Sequence, residues 1–224
     1  MSSSTPSRLK PLWASGAARL LRFGAMPAGA RAENAVAWLA DGHAEIDGAG
    51  EAPCRRILVA GADTDVRPQS EALCIARALA EAATRVILID TSQSAAALSG
   101  PLELPRSPGF AELSQQKARF QEVIHRDPAS ALHFLASGKP RSLAGEWGAP
   151  SVLDKVCRAI DENYRLAIFC AEHDEAIMLA RSLKRPFSAG VIVRAGNRPR
   201  ARRAPSPADT EAFGFPLFWL DQQG

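Results

Sequence analysis

The sequence predicts an α/β fold, a doubly wound and mostly parallel sheet with helices on both faces. Three observations carry it. From Arg56 onward, short β-branched and aliphatic runs alternate with alanine-rich or amphipathic stretches of helical period. The predicted helices carry apolar stripes of the kind that pack on a sheet. The 224 residues, 46% of them hydrophobic, suffice for one sizeable core and little more.

Residues 1–52 are rich in alanine, glycine and serine and read as a variable, flexible tail with one helix at Glu33–Ala40 (ENAVAWLA). The folded unit is expected over 53–224. Its first strand is placed at 56–60 and its first helix at 69–82, where Ala72, Leu73, Ala76, Leu79 and Ala80 recur at helical spacing. A strand follows at 85–89, then a polar, proline-containing connection with short helices, then a strand at 132–136. Helix 151–163 sets Val152, Leu153, Val156 and Ile160 on one stripe. Strand 165–171, helix 174–183 and strand 189–194 continue the alternation. Residues 193–210 form a basic, proline-rich loop. The last stretch, FGFPLFWL from Phe213 to Leu220, reads as the sheet's final strand or as an exposed edge that binds a partner, with the core reading favoured.

Charge and cysteine usage exclude several classes. The net charge of +3 is too mild to demand nucleic acid, and no aromatic residues interleave with Arg194, Arg198, Arg200, Arg202 and Arg203. Residues 1–31 carry Arg8, Lys10, Arg19, Arg22 and Arg31 without an acid; beside Leu9, Leu12, Trp13, Leu20 and Phe23 they suit a membrane-surface or docking helix, with a disordered tail as the alternative. No apolar run approaches the roughly 20 residues that span a bilayer, and no secretory leader is visible, so a cytoplasmic protein is expected. Cys54, Cys74, Cys157 and Cys170 lack CxxC pairing and read as buried reduced thiols. A catalytic pair between Cys170 and His173 is disfavoured, because the spacing offers no orienting group.

The chemistry-bearing stretch is Ile57–Ala80, ILVAGADTDVRPQSEALCIARALA. It has the strand, loop and helix layout of a phosphate-binding P-loop. A working loop reads GxxxxGK(S/T): glycines turn backbone N–H groups onto phosphates, the lysine neutralises oxygens, and the hydroxyl holds magnesium. Those positions are here Asp65, Arg67, Pro68 and Gln69. Asp65 adds negative charge, Pro68 removes an ammonium and a backbone donor, and Gln69 is a poor magnesium ligand. No lysine occurs from Cys54 to Gln116, so no shift of register restores the motif.

Further motifs follow in order: TRVILIDTS at 84–92, LPRSPGFAELSQQKARFQEVIHRDPASALHFLASGKP at 104–140 and ENYRLAIFCAEHDEA at 162–176. Together these resemble the cytoplasmic ATPase domain of bacterial tyrosine kinases and chain-length regulators of capsular and exopolysaccharide synthesis, relatives of the ParA and MinD deviant-Walker ATPases. The resemblance covers about 56–196, and the segment with Gly109, Val123, Ile124, Leu132 and Gly138 resembles the polysaccharide branch in particular. It implies a P-loop NTPase-like domain in which Asp90 keeps the acidic position that ends the second strand. The aspartate two residues on is Ser92, and the Walker B aspartate is Cys170, a thiol that magnesium does not favour. Asp90 has a second reading, as a cap of the turn that follows it. The single tyrosine, Tyr164, precedes a predicted strand and does not form the family's C-terminal tyrosine cluster.

The resemblance therefore implies a pseudo-ATPase or pseudokinase with no catalytic residues, no metal and no ATP or magnesium cofactor. It implies an accessory role in exopolysaccharide assembly through contacts with a membrane chain-length regulator or an active ATPase homologue, in a homo- or hetero-oligomer. Two alternatives stand beside it: a MinD- or ParA-like spatial regulator peripheral at the inner face of the membrane through residues 8–31, and a weak ATPase or kinase using Arg67 and Asp90.

Overall fold

A computed structural model describes residues 34–37, 39, 55–82, 85–93, 98–140, 149–195, 215 and 217–222. The basic stretch at 1–31 and nearly all of the basic, proline-rich loop lie outside them. In chain order the elements are β1 (Arg55–Gly61), α1 (Gln69–Ala82), β2 (Val86–Asp90), α2 (Phe110–Ser114), α3 (Phe120–Val123), β3 (Ile124–Arg126) and β4 (His133–Leu135). Then come α4 (Pro150–Asn163), β5 (Leu166–Ala171), α5 (His173–Ser182), β6 (Ala189–Ala195) and β7 (Leu217–Gln222).

The strands form one sheet in the order β3-β4-β2-β5-β1-β6-β7. Every pairing is parallel except β3 with β4. The central strands are buried on both faces, which is why they read as continuous apolar runs. Their side chains nonetheless alternate between two cores. Ile57 and Val59 of β1 join Leu166, Ile168 and Cys170 of β5 against α1, whereas Leu58, Ala60, Ala167 and Phe169 pack against α4 and α5. Helices thus cover both faces, as the alternation predicts.

α1 has the predicted bounds, with Ala72, Ile75, Ala76, Leu79 and Ala80 buried. β3 was not predicted: three residues with a half-buried pattern are too short for periodicity to register. Residues 34–37 and 39 are helical, and Ala35 and Leu39 are fully buried in the α1-side core, so the folded unit recruits residues from the stretch read as a tail. The last strand takes the core reading: Phe215, Leu217, Phe218 and Leu220 are buried. Cys157 and Cys170 are buried, but Cys74 is exposed on the outer side of α1, a correction to the expectation of buried thiols. Tyr164 ends α4 and is buried, its hydroxyl 2.7 Å from Nδ1 of His133. No helix among the described residues is long and apolar enough to cross a membrane.

Candidate functional site

In a parallel sheet wrapped on both faces, ligands bind beyond the carboxyl ends of the strands. β1, β5 and β2 lie side by side, and here they present the loop 62–68, Glu172 and Thr91–Gln93 at that edge. The alternation along β2 and β5 turns Asp90 and Cys170, which are register partners, to the α1 side. The first residue of α1 is Gln69. The structure therefore brings Gln69, Asp90, Ser92 and Cys170 together, and all four are buried.

The loop after β1 is bonded to β6 and to itself. Ala62 N donates to the Val193 carbonyl at 2.8 Å, Asp65 N to Asp63 Oδ1 at 2.9 Å and Val66 N to the Asp63 carbonyl at 3.2 Å. Those three N–H groups thus point at protein oxygens, where a phosphate cradle points them at a ligand. The turn is tight: a Cβ on Gly61 would sit 2.7 Å from the Val66 carbonyl oxygen. Arg67 is exposed; its Nη1 donates to the Thr64 carbonyl at 2.9 Å and lies 3.6 Å from Glu172 Oε1, while Gln222 of β7 donates to the Arg67 carbonyl at 3.1 Å. Pro68 is buried and accepts Ala72 N at 2.9 Å, which opens α1. Asp65 projects at the surface.

Beneath the loop, the residues standing at magnesium-site positions bond one another. Gln69 Nε2 donates to Ser92 Oγ at 2.9 Å. Asp90 accepts Ser92 N at 2.9 Å on one oxygen and Leu98 N at 2.8 Å on the other, which is the geometry of a cap over the turn after β2. Burial raises the Asp90 pKa, opposed by those hydrogen bonds and by the charge of Arg106. Arg106 itself is anchored by donating to Ser137 Oγ, the Gly138 carbonyl and the Gln93 carbonyl. Cys170 is fully buried, and its carbonyl accepts both the N–H and the hydroxyl of Thr91. Burial first, then the carboxylates of Asp90, Glu172 and Glu71, push its thiol well above the ordinary range. A thiol so placed stays protonated and supplies no anionic ligand.

The donor set differs from the glycine, lysine and hydroxyl set of a working loop. The loop carries exposed Asp63 and Asp65, carboxylates that a phosphate would meet with like charge. His173 does not meet Cys170 as a catalytic partner; its Nδ1 lies 3.3 Å from the Gly61 carbonyl oxygen. Sequence reasoning missed Asp63, Glu172 and Gln222. Asp63 carried a signal, since an aspartate two residues before a bonded N–H is the signature of an Asx turn. The other two reach the site only through the sheet order.

This geometry sits on a known framework. The kinase domain of Escherichia coli tyrosine kinase ETK superposes with a TM-score of 0.65 at 13% identity, over 85% of this chain and 74% of that one. The BceF tyrosine kinase domain gives 0.65 at 17% identity over 85% and 76%, and the chimerical protein CapA2B2 gives 0.64 at 13% over 82% of each chain. The chain has the P-loop NTPase fold of these domains. No family model and no curated protein matches the sequence.

Proposed function

We propose that this chain is a non-catalytic member of the fold, acting in exopolysaccharide assembly through protein contacts with a membrane chain-length regulator or an ATPase partner. The observation that carries the reading is the Gln69–Ser92 hydrogen bond beside the capped Asp90. Gln69 spends its amide donor on Ser92 and Asp90 spends both oxygens on backbone N–H groups, so these groups are engaged within the protein, while Gln69 Oε1 is buried without a hydrogen-bond partner among the described residues. The link to polysaccharide rests on the resemblance of residues 104–140; the tyrosine kinase domains of similar fold support only the framework.

Two measurements test it. Calorimetric titration with magnesium-ATP is expected to give no saturable heat, and a micromolar dissociation constant overturns the non-catalytic reading. Affinity capture from native membranes is expected to recover a chain-length regulator or an ATPase homologue; recovery of neither removes the proposed partners.

A further inference from the structure

At the edge where the parallel strands begin, opposite the site, exposed cations stand in a row. Arg85 immediately precedes β2 and Arg165 immediately precedes β5; the register Val86 to Leu166 sets them side by side, with Arg165 N donating to the Arg85 carbonyl at 3.0 Å. Arg126 ends β3 opposite His133, which pairs with Ile87 of β2 and so lies at the same edge. With strands about 4.8 Å apart, the row from Arg126 to Arg165 covers about 14 Å. Arg158 near the end of α4 and Arg181 in the last turn of α5 widen it into the helical layer on one face.

All five arginines are exposed, and none forms an ion pair among the described residues. Among the described residues the exposed acids at this end are Glu81 and Glu162. Nearby Arg56 and Arg185 are taken up by Asp161, and Lys184 by Asp154. Arg85 holds its place at φ 60, a backbone region that favours glycine. The opposite edge is mixed, with Asp63, Asp65 and Asp174 exposed beside Arg67 and Lys139.

We propose that the strand-start edge docks on an anionic phospholipid surface, leaving the opposite edge facing away from it. The patch is two-dimensional, spread over strand starts and helix ends, which suits a plane better than a single extended polymer. It also lacks the aromatic or aliphatic anchor at the centre of a protein–protein hot spot. Met178 is the one exposed large hydrophobic among the described residues, and it lies a full turn from the end of α5. Arginines bind lipid phosphates through the guanidinium fork as well as by charge, each contributing roughly a fivefold factor to partition. The row of cations at one edge against a mixed far edge sets the orientation on an anionic membrane. The inference is independent of the proposed loss of nucleotide chemistry.

The test is co-sedimentation of the full chain with vesicles of equal parts phosphatidylcholine and phosphatidylglycerol, against phosphatidylcholine alone. Binding is expected only to the anionic vesicles and is expected to be lost in high salt. The variant R85E/R126E/R165E should bind at least about a hundredfold more weakly. R85Q/R126Q/R165Q, which only neutralises the row, should fall between it and the wild type, and keeps the test open should charge reversal impair folding. Three results overturn the proposal: no preference for anionic vesicles, unchanged binding in both triple variants, or binding to a soluble acidic polysaccharide but not to vesicles. Binding abolished by neutralising Arg8, Lys10, Arg19 and Arg22, yet unaffected in the triple variants, would assign the membrane contact to the N-terminal stretch and overturn it as well.

Discussion

Asp90 and Asp127 both bury their carboxylates, and the partners each one finds set opposite responses to pH. Around Asp90 burial dominates and raises the pKa, although Ser92 N and Leu98 N donate to it. Asp127 is held low by the bidentate guanidinium of Arg77, at 2.8 and 2.9 Å, against the opposing effect of burial; the Ser130 hydroxyl adds to the lowering. A raised folded pKa means that the contribution of Asp90 to stability is fully present below the unfolded value near 3.8 and is lost as pH rises through the folded value. For Asp127 the contribution is present above 3.8 and is lost as pH falls through its lowered folded value. Asp127→Asn is therefore expected to cost about 2 kcal/mol at neutral pH, with the cost shrinking as pH falls below 3.8. Asp90→Asn should show the reverse trend, its cost of about 1–3 kcal/mol greatest at acid pH. Urea unfolding of both variants between acid and neutral pH measures this, and parallel trends would refute the assignment. The capping role of Asp90 was readable from the sequence, because a carboxylate that ends a strand before a turn has a local use. The partner of Asp127 was not, because Arg77 is 50 residues away and the pairing needs α1 docked beside the β3–β4 turn.

At the scale of elements, α2 is fixed by two glycines and one glutamate. Glu112 accepts Gly109 N at 2.9 Å, the Ser107 hydroxyl at 3.0 Å and Lys139 N at 3.1 Å, tying the start of α2 to the chain beyond β4. Phe110 N and Ala111 N donate to the carbonyls of Ala136 and Ser137 across the same junction. A Cβ at Gly109 would overlap the Ala136 carbonyl and the Gly138 N, both backbone and unable to yield. At Gly138, φ is +86 and a Cβ would overlap Glu112 Oε2, the oxygen that accepts Gly109 N, with the Cβ of Ala111 at 2.9 Å. Gly109→Ala is thus expected to cost about 3 kcal/mol or more, about 6–12 °C in melting temperature for a domain of this size. Gly138→Ala should cost about 2–3 kcal/mol, the left-handed backbone penalty together with the displaced Glu112 cap on Gly109 N. Thermal melts followed by circular dichroism compare the two, and equal losses would mean that the Gly109 contact relaxes. These glycines stood out in the sequence as part of the segment 104–140, but their reason is tertiary, since they let two backbones approach across 29 residues. Long elements with a regular period, such as α1 and α4, were readable in advance. β3 exists because β4 offers it an edge, which no local pattern encodes.

For the molecule as a whole, the residues on which the proposed non-catalytic reading rests are spread over three neighbouring strands and not confined to one loop. β1 leads into a turn whose N–H groups are taken by Asp63 and Val193, β2 ends in a capped aspartate, and β5 ends in a buried thiol. The altered residues at each position were visible in the sequence, but their mutual bonding was not, because it depends on the order β2-β5-β1. Repairing the loop alone should therefore fail. The triple variant R67G/P68K/Q69T restores glycine, lysine and hydroxyl, yet leaves Asp63 holding Asp65 N and leaves a neutral thiol at residue 170. It also removes the Gln69 donor to Ser92, so a loss of about 1–2 kcal/mol is expected from that bond. A ligand present at a hundred times its dissociation constant stabilises by about 2.7 kcal/mol, which raises the melting temperature by roughly 5–10 °C. Millimolar magnesium-ATP is expected to leave the melting temperature of the triple variant unchanged. Adding Asp63→Gly and Cys170→Asp, which frees the loop donors and returns an oxygen ligand to β5, is the smallest change for which a nucleotide-dependent shift is expected. A shift of several degrees in the triple variant by itself would place the whole defect in the loop, and the hydrogen bonds among Gln69, Ser92 and Asp90 would then be a consequence of the changed loop and not a cause of lost binding.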